Sequence, residues 1–322
     1  MAPKVAIIIL NWNNYADTKE CLKSLENLTY PNYEIIVVDN GSTDGSAARL
    51  EAEFPQFKFI KNEENLGFAG GCNVGIRYSL EEDADSVLLL NNDAVLEPSS
   101  LEPAVETLFS SKEVGIVGGK IKNYFKRDRI DSVGVRRILW PIGFMRSEGT
   151  GRLDRGQFEG RAELAATSGA LMLIKREVFD AVGLLPESFF LGGEDIDFCL
   201  SAREKGFKVV YEPRFVAYHK VGQSHSELRP GWIYNNLLSR QLVMKRCLKP
   251  FWWRVNSLCF RLYTRYWSLR RYKRRILQGE TNCATSSKLL REIEGAVKAA
   301  LRDAHVKDRI TLSDLERISW LD

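Results

Sequence analysis

The sequence is short of several things, and each shortage excludes a class of protein. Its six cysteines (Cys21, Cys72, Cys199, Cys247, Cys259, Cys283) form no Cys-x-x-Cys pair and no metal-ligand spacing. They are expected as buried thiols in a reducing compartment, so the expected location is cytoplasmic. No stretch of about 18 apolar residues occurs, so no spanning helix is expected. The apolar run Val5–Leu10 is too short for a signal-peptide core and ends at the polar Asn11-Trp12-Asn13-Asn14. That polar tetrad also stands where dinucleotide-binding and methyltransferase folds need a Gly-rich phosphate loop, which argues against them. Internal repeats are missing. So is acidic charge from Arg229 to Arg275, where every charged residue is basic, whereas the first two hundred residues carry mixed signs. Such an asymmetry implies a partner for the C-terminal segment.

What remains is an ordinary globular composition: 322 residues, 44% hydrophobic and 27% charged, enough for one large domain or a domain with an appendage. Val5–Leu10 reads as a strand buried on both faces, followed by a helix from Tyr15 to Leu28. Glu34–Val38, Phe57–Lys61 and Ser86–Leu90 read as further strands. A helix through Leu50 is capped from Ser42 to Ser46, and another runs to Glu82 after the Gly-rich Asn65–Gly75. Tyr124 to Glu163 reads as a less regular excursion. Ala170–Lys175 and Lys208–Tyr211 read as strands, with helices over Glu177–Val182 and Glu194–Lys205. Strand and helix in alternation with short connections predict an α/β sheet with helices on both faces, and ligands bind such sheets beyond the carboxyl ends of the strands. After Gly222 the pattern turns to long basic, aromatic-rich helices, so two domains are expected, 1–222 and 223–322.

Several polar clusters fall where such a sheet would bind. Asp39, at the end of the second strand, either caps the next helix or accepts the imide N–H of uracil or thymine, or a ribose hydroxyl. Asn91-Asn92-Asp93 follows four apolar residues; it is either a plain Asn/Asp turn or a carboxylate for a hard cation flanked by amides for ribose or diphosphate. Gly192-Gly193-Glu194-Asp195-Ile196-Asp197 places three acids at a helix start. They complement the helix dipole or supply a general base. His219 reads equally as a core histidine or a ligand, and His225 as a loop or acceptor-side residue. The segment 251–275 interleaves aromatics with Arg and Lys. It either packs on the 1–222 domain or lies on an anionic membrane; nucleic acid ranks last because no motif for it is present.

Taken in order, these elements resemble glycosyltransferase family 2 with the GT-A fold, and within it the rhamnosyltransferase-like branch. The residues that carry the resemblance are Ile7–Asn13, Val37–Ser46, Asn65–Asn73, Leu90–Asp93, Gly193–Asp197 and Tyr218-His219, about two-thirds of the chain. The resemblance implies a Rossmann-like, mostly parallel α/β sheet and a C-terminal helical segment. It implies an inverting, metal-dependent transfer of a hexose or deoxyhexose from a dTDP- or UDP-sugar to a glycan or lipid-linked acceptor of the cell surface. By position, Asn11, Asn13 and Asp39 would hold the pyrimidine nucleoside, with Gly67 to Asn73 lining its far side and Asn91 and Asn92 beside it. Asp93 and His219 would hold Mg2+ or Mn2+, Asp195 would be the catalytic base, and Glu194 would orient the acceptor. Two positions depart from the family pattern: Asn91 replaces the first acid of Asp-x-Asp, and glycines precede Glu194 where relatives often carry a bulky residue. A catalytically silent nucleotide-sugar-binding or membrane-docking module is the competing expectation; intact Asp93 and Asp195 weigh against it. Peripheral contact with the inner face of the cytoplasmic membrane is expected if 251–275 docks there.

Overall fold

A computed structural model describes residues 2–139, 144–145, 147–220, 229–268, 270 and 283–316. Gly222, His225 and residues 269 and 271–275 of the basic aromatic segment lie outside the described residues. Strand β1 (Val5–Asn11) has no polar side chain before its last residue and is buried along nearly its whole length, as a strand covered on both faces must be. It pairs in parallel with β2 (Tyr33–Asp39) on one side and β4 (Ser86–Asn91) on the other, and β2 pairs in parallel with β3 (Lys58–Lys61). Between them run α1 (Tyr15–Leu25), α2 (Ser46–Glu53) and α3 (Gly67–Glu81), so each parallel step is a strand–helix–strand crossover.

The rest of the large sheet is mixed. After β5 (Ala94–Leu96) and α4 (Leu101–Leu108) come β6 (Val114–Asn123) and β7 (Ile130–Ser132). The short pair β8 (Ile138–Leu139) and β9 (Phe144–Met145) forms its own two-stranded ribbon. Then follow β10 (Ala162–Leu164), β11 (Leu171–Lys175), α5 (Arg176–Val182), α6 (Glu194–Glu204) and β12 (Lys208–His219). The strand order is β10-β12-β6-β11-β4-β1-β2-β3, with β5 on β12 and β7 on β6. β11 runs antiparallel between β4 and β6, and β12 is parallel to β6. One continuous core of Ile7, Ile9, Val37, Leu88, Leu90, Val117 and Phe215 runs through these strands.

Three expectations change. The glycine-rich stretch is not a loop before a helix: α3 begins at Gly67. Its glycines allow close approach, since a Cβ on Gly71 would lie 2.5 Å from Leu10 Cδ1 and one on Gly75 3.0 Å from both Ile8 and Val38. β6, unanticipated among its glycines, lies between β11 and β12. A Cβ on Gly119 would come within 2.2 Å of the Phe215 carbonyl oxygen, so only glycine lets the two strands meet there. The segments Lys208–Tyr211 and Phe215–Tyr218 are one strand, whose register against β6 shifts between Glu212 and Val216.

The chain divides into two compact units. The first takes in the described residues of 1–137, 146–187 and 194–221, the second those of 138–145, 188–193 and 222–322. The second is mostly helical: α7 (Pro230–Cys247), α8 (Pro250–Tyr263), a π-helical turn (Thr264–Ser268), α9 (Cys283–Val306) and α10 (Leu312–Glu316). α7 buries Ile233, Tyr234, Leu237, Leu238 and Leu242, while α9 buries Ile293, Ala296, Val297 and Ala300. The Tyr234 hydroxyl donates to Asp303 Oδ2 at 2.7 Å, fixing α7 against α9. None of the described helices is long and apolar enough to cross a membrane.

Candidate active site

The site is assembled by sheet register. Asn11 pairs with Asp39, Leu10 with Asn91, and Leu90 with Leu171 at the start of β11. At the other end of the row, His219 pairs with Ala94, the residue after Asp93. The carboxyl ends of β1, β2, β4 and β12 and the amino end of β11 therefore share one edge of the sheet. The polar residues picked out at strand ends meet there because the strands that end in them are neighbours.

Asp93 and His219 form the centre of that edge. His219 Nε2 lies 3.0 Å from Asp93 Oδ1 and 3.3 Å from Asn91 Nδ2. On the opposite side of the ring, Nδ1 is 3.3 Å from Asp131 Oδ2. Burial opposes charge on the imidazole, but the two carboxylates outweigh it and push the His219 pKa up to about 9. Burial likewise works against ionisation of Asp93, and the His219 hydrogen bond and charge reverse it, holding the carboxyl below its ordinary value. Asp131 was not anticipated. It sits in the short β7, paired to β6, and nothing in its neighbourhood in the chain points to a histidine 88 residues away. Beyond His219, Lys220 anchors the end of β12: its N–H donates to the Asp93 carbonyl at 3.0 Å and its ammonium to Asp17 and Glu20 of α1 at 2.6 Å each.

The donor set suits a divalent cation that completes its shell with phosphate and water. Asp93 and His219 present one oxygen and one nitrogen side by side, and among the described residues no cluster of three or more His, Cys, Asp or Glu offers a closed cage. With Asp131 holding Nδ1–H, a metal that displaces the proton from Nε2 would find that nitrogen oriented to bind it, as the partner of a ligating histidine does.

A hydrogen-bond chain runs from Asn92, the residue before Asp93, to Asp39. Asn92 Nδ2 donates to Thr18 Oγ1 at 2.8 Å, Thr18 Oγ1 to Asn11 Oδ1 at 2.9 Å, and Asn11 Nδ2 to Asp39 Oδ1 at 2.7 Å. Asn11 is fully buried, and its amide also reaches Ser42 and Ser46. The Ser42 backbone N–H donates to Asp39 Oδ2 at 3.0 Å. Each carboxylate oxygen keeps a second lone pair. Asn13 is exposed at a left-handed corner (φ 49°), where its Oδ1 accepts from Thr43 N at 2.8 Å. Thr18 is a second residue that sequence reasoning missed; on a helix face it looked like any half-polar position.

Asn40 holds the entrance to α3. Its amide donates to Asn65 Oδ1 and the Gly67 carbonyl, and its oxygen accepts from Asn62 and Leu66. Gly67 starts the helix at φ 76°. Asn73 is directed elsewhere: its Nδ2 donates to the Leu185 carbonyl and Glu187, and its Oδ1 accepts from Leu185 N.

Asp195 stands in the first turn of α6, half-buried, with Glu194 and Asp197 buried beside it. Asp195 Oδ2 accepts from Gly169 N at 3.1 Å, and Oδ1 from Ile196 N at 2.8 Å. Gly169 is next to Ala170, whose carbonyl accepts from Asn91 N at 3.2 Å. The carboxylate is thus tied, through two residues, to the strand end that leads into Asp93.

The sequence profile described as Glycosyl transferase family 2 matches residues 6–183, more than half of the chain. The chain belongs to glycosyltransferase family 2. Among its relatives, the low-salt glycan biosynthesis hexosyltransferase Agl10 of Haloferax volcanii is 30% identical over 65% of this chain and 64% of that protein. The dTDP-rhamnosyl transferase RfbF of Shigella flexneri is 23% identical over 69% of this chain and 71% of its own length. The N-acetylglucosaminyl-diphospho-decaprenol L-rhamnosyltransferase of Mycobacterium tuberculosis is 24% identical over 69% and 78%. Among solved structures, the mannosyltransferase PcManGT of Pyrobaculum calidifontis, in complex with GDP-Man and Mn2+, superposes with a TM-score of 0.58 at 19% identity, covering 96% of this chain and 87% of that one. The architecture of this family 2 chain is therefore the expected GT-A fold. The family match ends at residue 183, so Glu194, Asp195 and His219 lie beyond it and rest on their geometry.

Proposed function

We propose that this family 2 chain transfers a hexose or deoxyhexose from a dTDP- or UDP-sugar to a glycan or lipid-linked acceptor of the cell surface, with inversion at the transferred carbon. The observation that carries the reading is the Asp93–His219 contact of 3.0 Å at a sheet edge to which Asp195 is also tied through Gly169. Asp93 and His219 hold Mg2+ or Mn2+, with Asp131 orienting the imidazole and Asn91 and Asn92 flanking the diphosphate. When bound, the cation supplies positive charge against the departing nucleoside diphosphate. Asp39 takes the imide N–H of the pyrimidine on a lone pair left free by Asn11 and Ser42, and Asn13 borders the nucleoside from its exposed corner. Asn11 acts by holding Asp39, Gly67 opens the helix that lines the far side, and Asn73 contributes through the 185–187 segment it secures. Asp195 removes the acceptor hydroxyl proton as the oxygen attacks from the face opposite the diphosphate, and Glu194 orients that acceptor.

The test is a panel of nucleotide sugars with Mn2+, read as release of nucleoside diphosphate, run on the wild type and on Asp195→Asn. The wild type is expected to turn over a dTDP- or UDP-sugar and the variant to bind the same donor while losing transfer. An Asp195→Asn protein with near-wild-type turnover overturns its assignment as base. Equal thermal stabilisation by UDP with and without chelator overturns the metal.

A further inference from the structure

Helix α8 is turned the wrong way round for a helix of a globular unit. Its inward face carries polar residues: Asn256 and Ser257 are buried together with Phe260, and Thr264 is buried in the π-helical turn that follows. Hydrogen bonds set that orientation, with Gln241 Nε2 donating to Asn256 Oδ1 at 3.2 Å and Ser257 Oγ lying 3.2 Å from His305 Nε2. Trp253 packs edge-on against the His305 ring at 5.0 Å. The outward face is apolar. Phe251, Leu258 and Leu262 are spaced at seven and four residues, so they form one stripe, and they are 67%, 60% and 52% exposed. Trp252 at 59% and Tyr266 at 53% widen it. Arg254, Arg261 and Arg265 are exposed along the flank of this stripe, in a segment from Arg229 to Arg275 without a single acid.

We infer that this face of α8 lies in the interface of an anionic lipid bilayer, with Phe251, Trp252, Leu258 and Leu262 entering the acyl boundary and the arginines lying among the headgroup phosphates. Aromatic and aliphatic side chains on one side of a helix with basic residues at its rim are the composition that partitions there, to a depth of about 5–10 Å. Charge decides against the other occupants. Two copies packed face to face would bring their arginine rims together, and a nucleic acid would find aliphatic side chains where its phosphates must pass. The inference adds to the proposed transfer a surface and a lipid charge. Its readout involves no sugar, so either can fail while the other stands.

The experiment is flotation of the full-length protein with vesicles of phosphatidylcholine alone or mixed with phosphatidylglycerol. Binding is expected only with phosphatidylglycerol, to fall with added salt, and to weaken at least about tenfold in Phe251→Ser/Leu258→Ser and in Arg254→Glu/Arg265→Glu. All four positions are exposed, so the variants should fold, and an unchanged melting curve checks it. Tryptophan emission shifting to the blue and quenched by brominated phosphatidylglycerol, with both effects reduced in Trp252→Phe, places Trp252 in the lipid. Binding that ignores lipid charge, binding that survives both variants, or a dimer in solution abolished by Leu258→Ser overturns the inference.

Discussion

The sheet edge and helix α8 treat polarity in opposite ways. At the sheet edge the strands bury their apolar residues and deliver Asn11, Asp39, Asn91 and His219 at their ends, where each polar group finds a partner of the same small cluster. On α8 Asn256 and Ser257 are inside, paired with Gln241 and His305, and the large apolar side chains Phe251, Trp252, Leu258 and Leu262 are outside. Polar groups are the more demanding of the two: buried without a partner they cost several kcal/mol, so partners dictate where they go. Apolar groups only need to leave water, and any apolar phase accepts them. The first region is consequently specified residue by residue, and the second only as a face.

The sharpest way to break the comparison is to alter single atoms at the sheet edge. Asp195→Asn keeps the shape and removes the proposed base, and transfer should fall by about 100- to 10,000-fold while donor binding persists; steady-state rates beside a thermal shift with UDP and Mn2+ measure both. Next comes Asp131→Asn, at the carboxylate that faces His219 Nδ1. Loss of the carboxylate on His219 Nδ1 should weaken the Mn2+-dependent part of the UDP-induced thermal shift by about 10- to 100-fold in metal concentration. Unchanged Mn2+ dependence would show that Asp131 does not position the imidazole.

A smaller effect is expected from Glu212, away from the site. Its carboxylate is buried and accepts from Thr107, Arg161 and Arg214. Burial works against its charge, but those donors prevail and lower its pKa to about 2. A carboxylate whose folded pKa is depressed stabilises the fold above its ordinary value near 4.5, and that contribution is lost as pH falls toward about 2. Glu212→Gln should destabilise by about 2 kcal/mol at pH 7 and flatten the acid limb of the stability curve; urea melts between pH 3 and pH 7 supply the readout. The smallest effect is on α8. Leu258→Ser should change stability by no more than about 0.5 kcal/mol, because the side chain is already in water, whereas Tyr234→Phe removes a buried hydrogen bond and should cost about 1–2 kcal/mol. A large loss of stability in Leu258→Ser would mean the face is part of a core and would erase the contrast between the two regions.

Much of the sheet edge was legible because a parallel strand advertises itself as an unbroken apolar run, and the residue after the run is where a ligand meets it. Asn11, Asp39 and Asn91 each end such a run, and the register places them together. Glycine hid other elements. β6 carries Gly115, Gly118 and Gly119 among its apolar residues, and α3 carries Gly71 and Gly75, because in both the backbone passes close to a neighbour that no local pattern reveals. Thr18 and Asp131 were illegible for another reason: each gains its meaning from a partner supplied by a distant strand.

By itself the sequence determined which strands are buried on both faces, which polar residues end them, and that one stretch near the C-terminus is wholly basic, since these follow from periodicity and charge along the chain. Only the tertiary structure decided which carboxylates flank His219, how Asn92 connects to Asp39 through Thr18, and which side of α8 faces outward. Most of those are contacts between residues tens of positions apart, and their energies exist only after the backbone has brought the groups within hydrogen-bonding range.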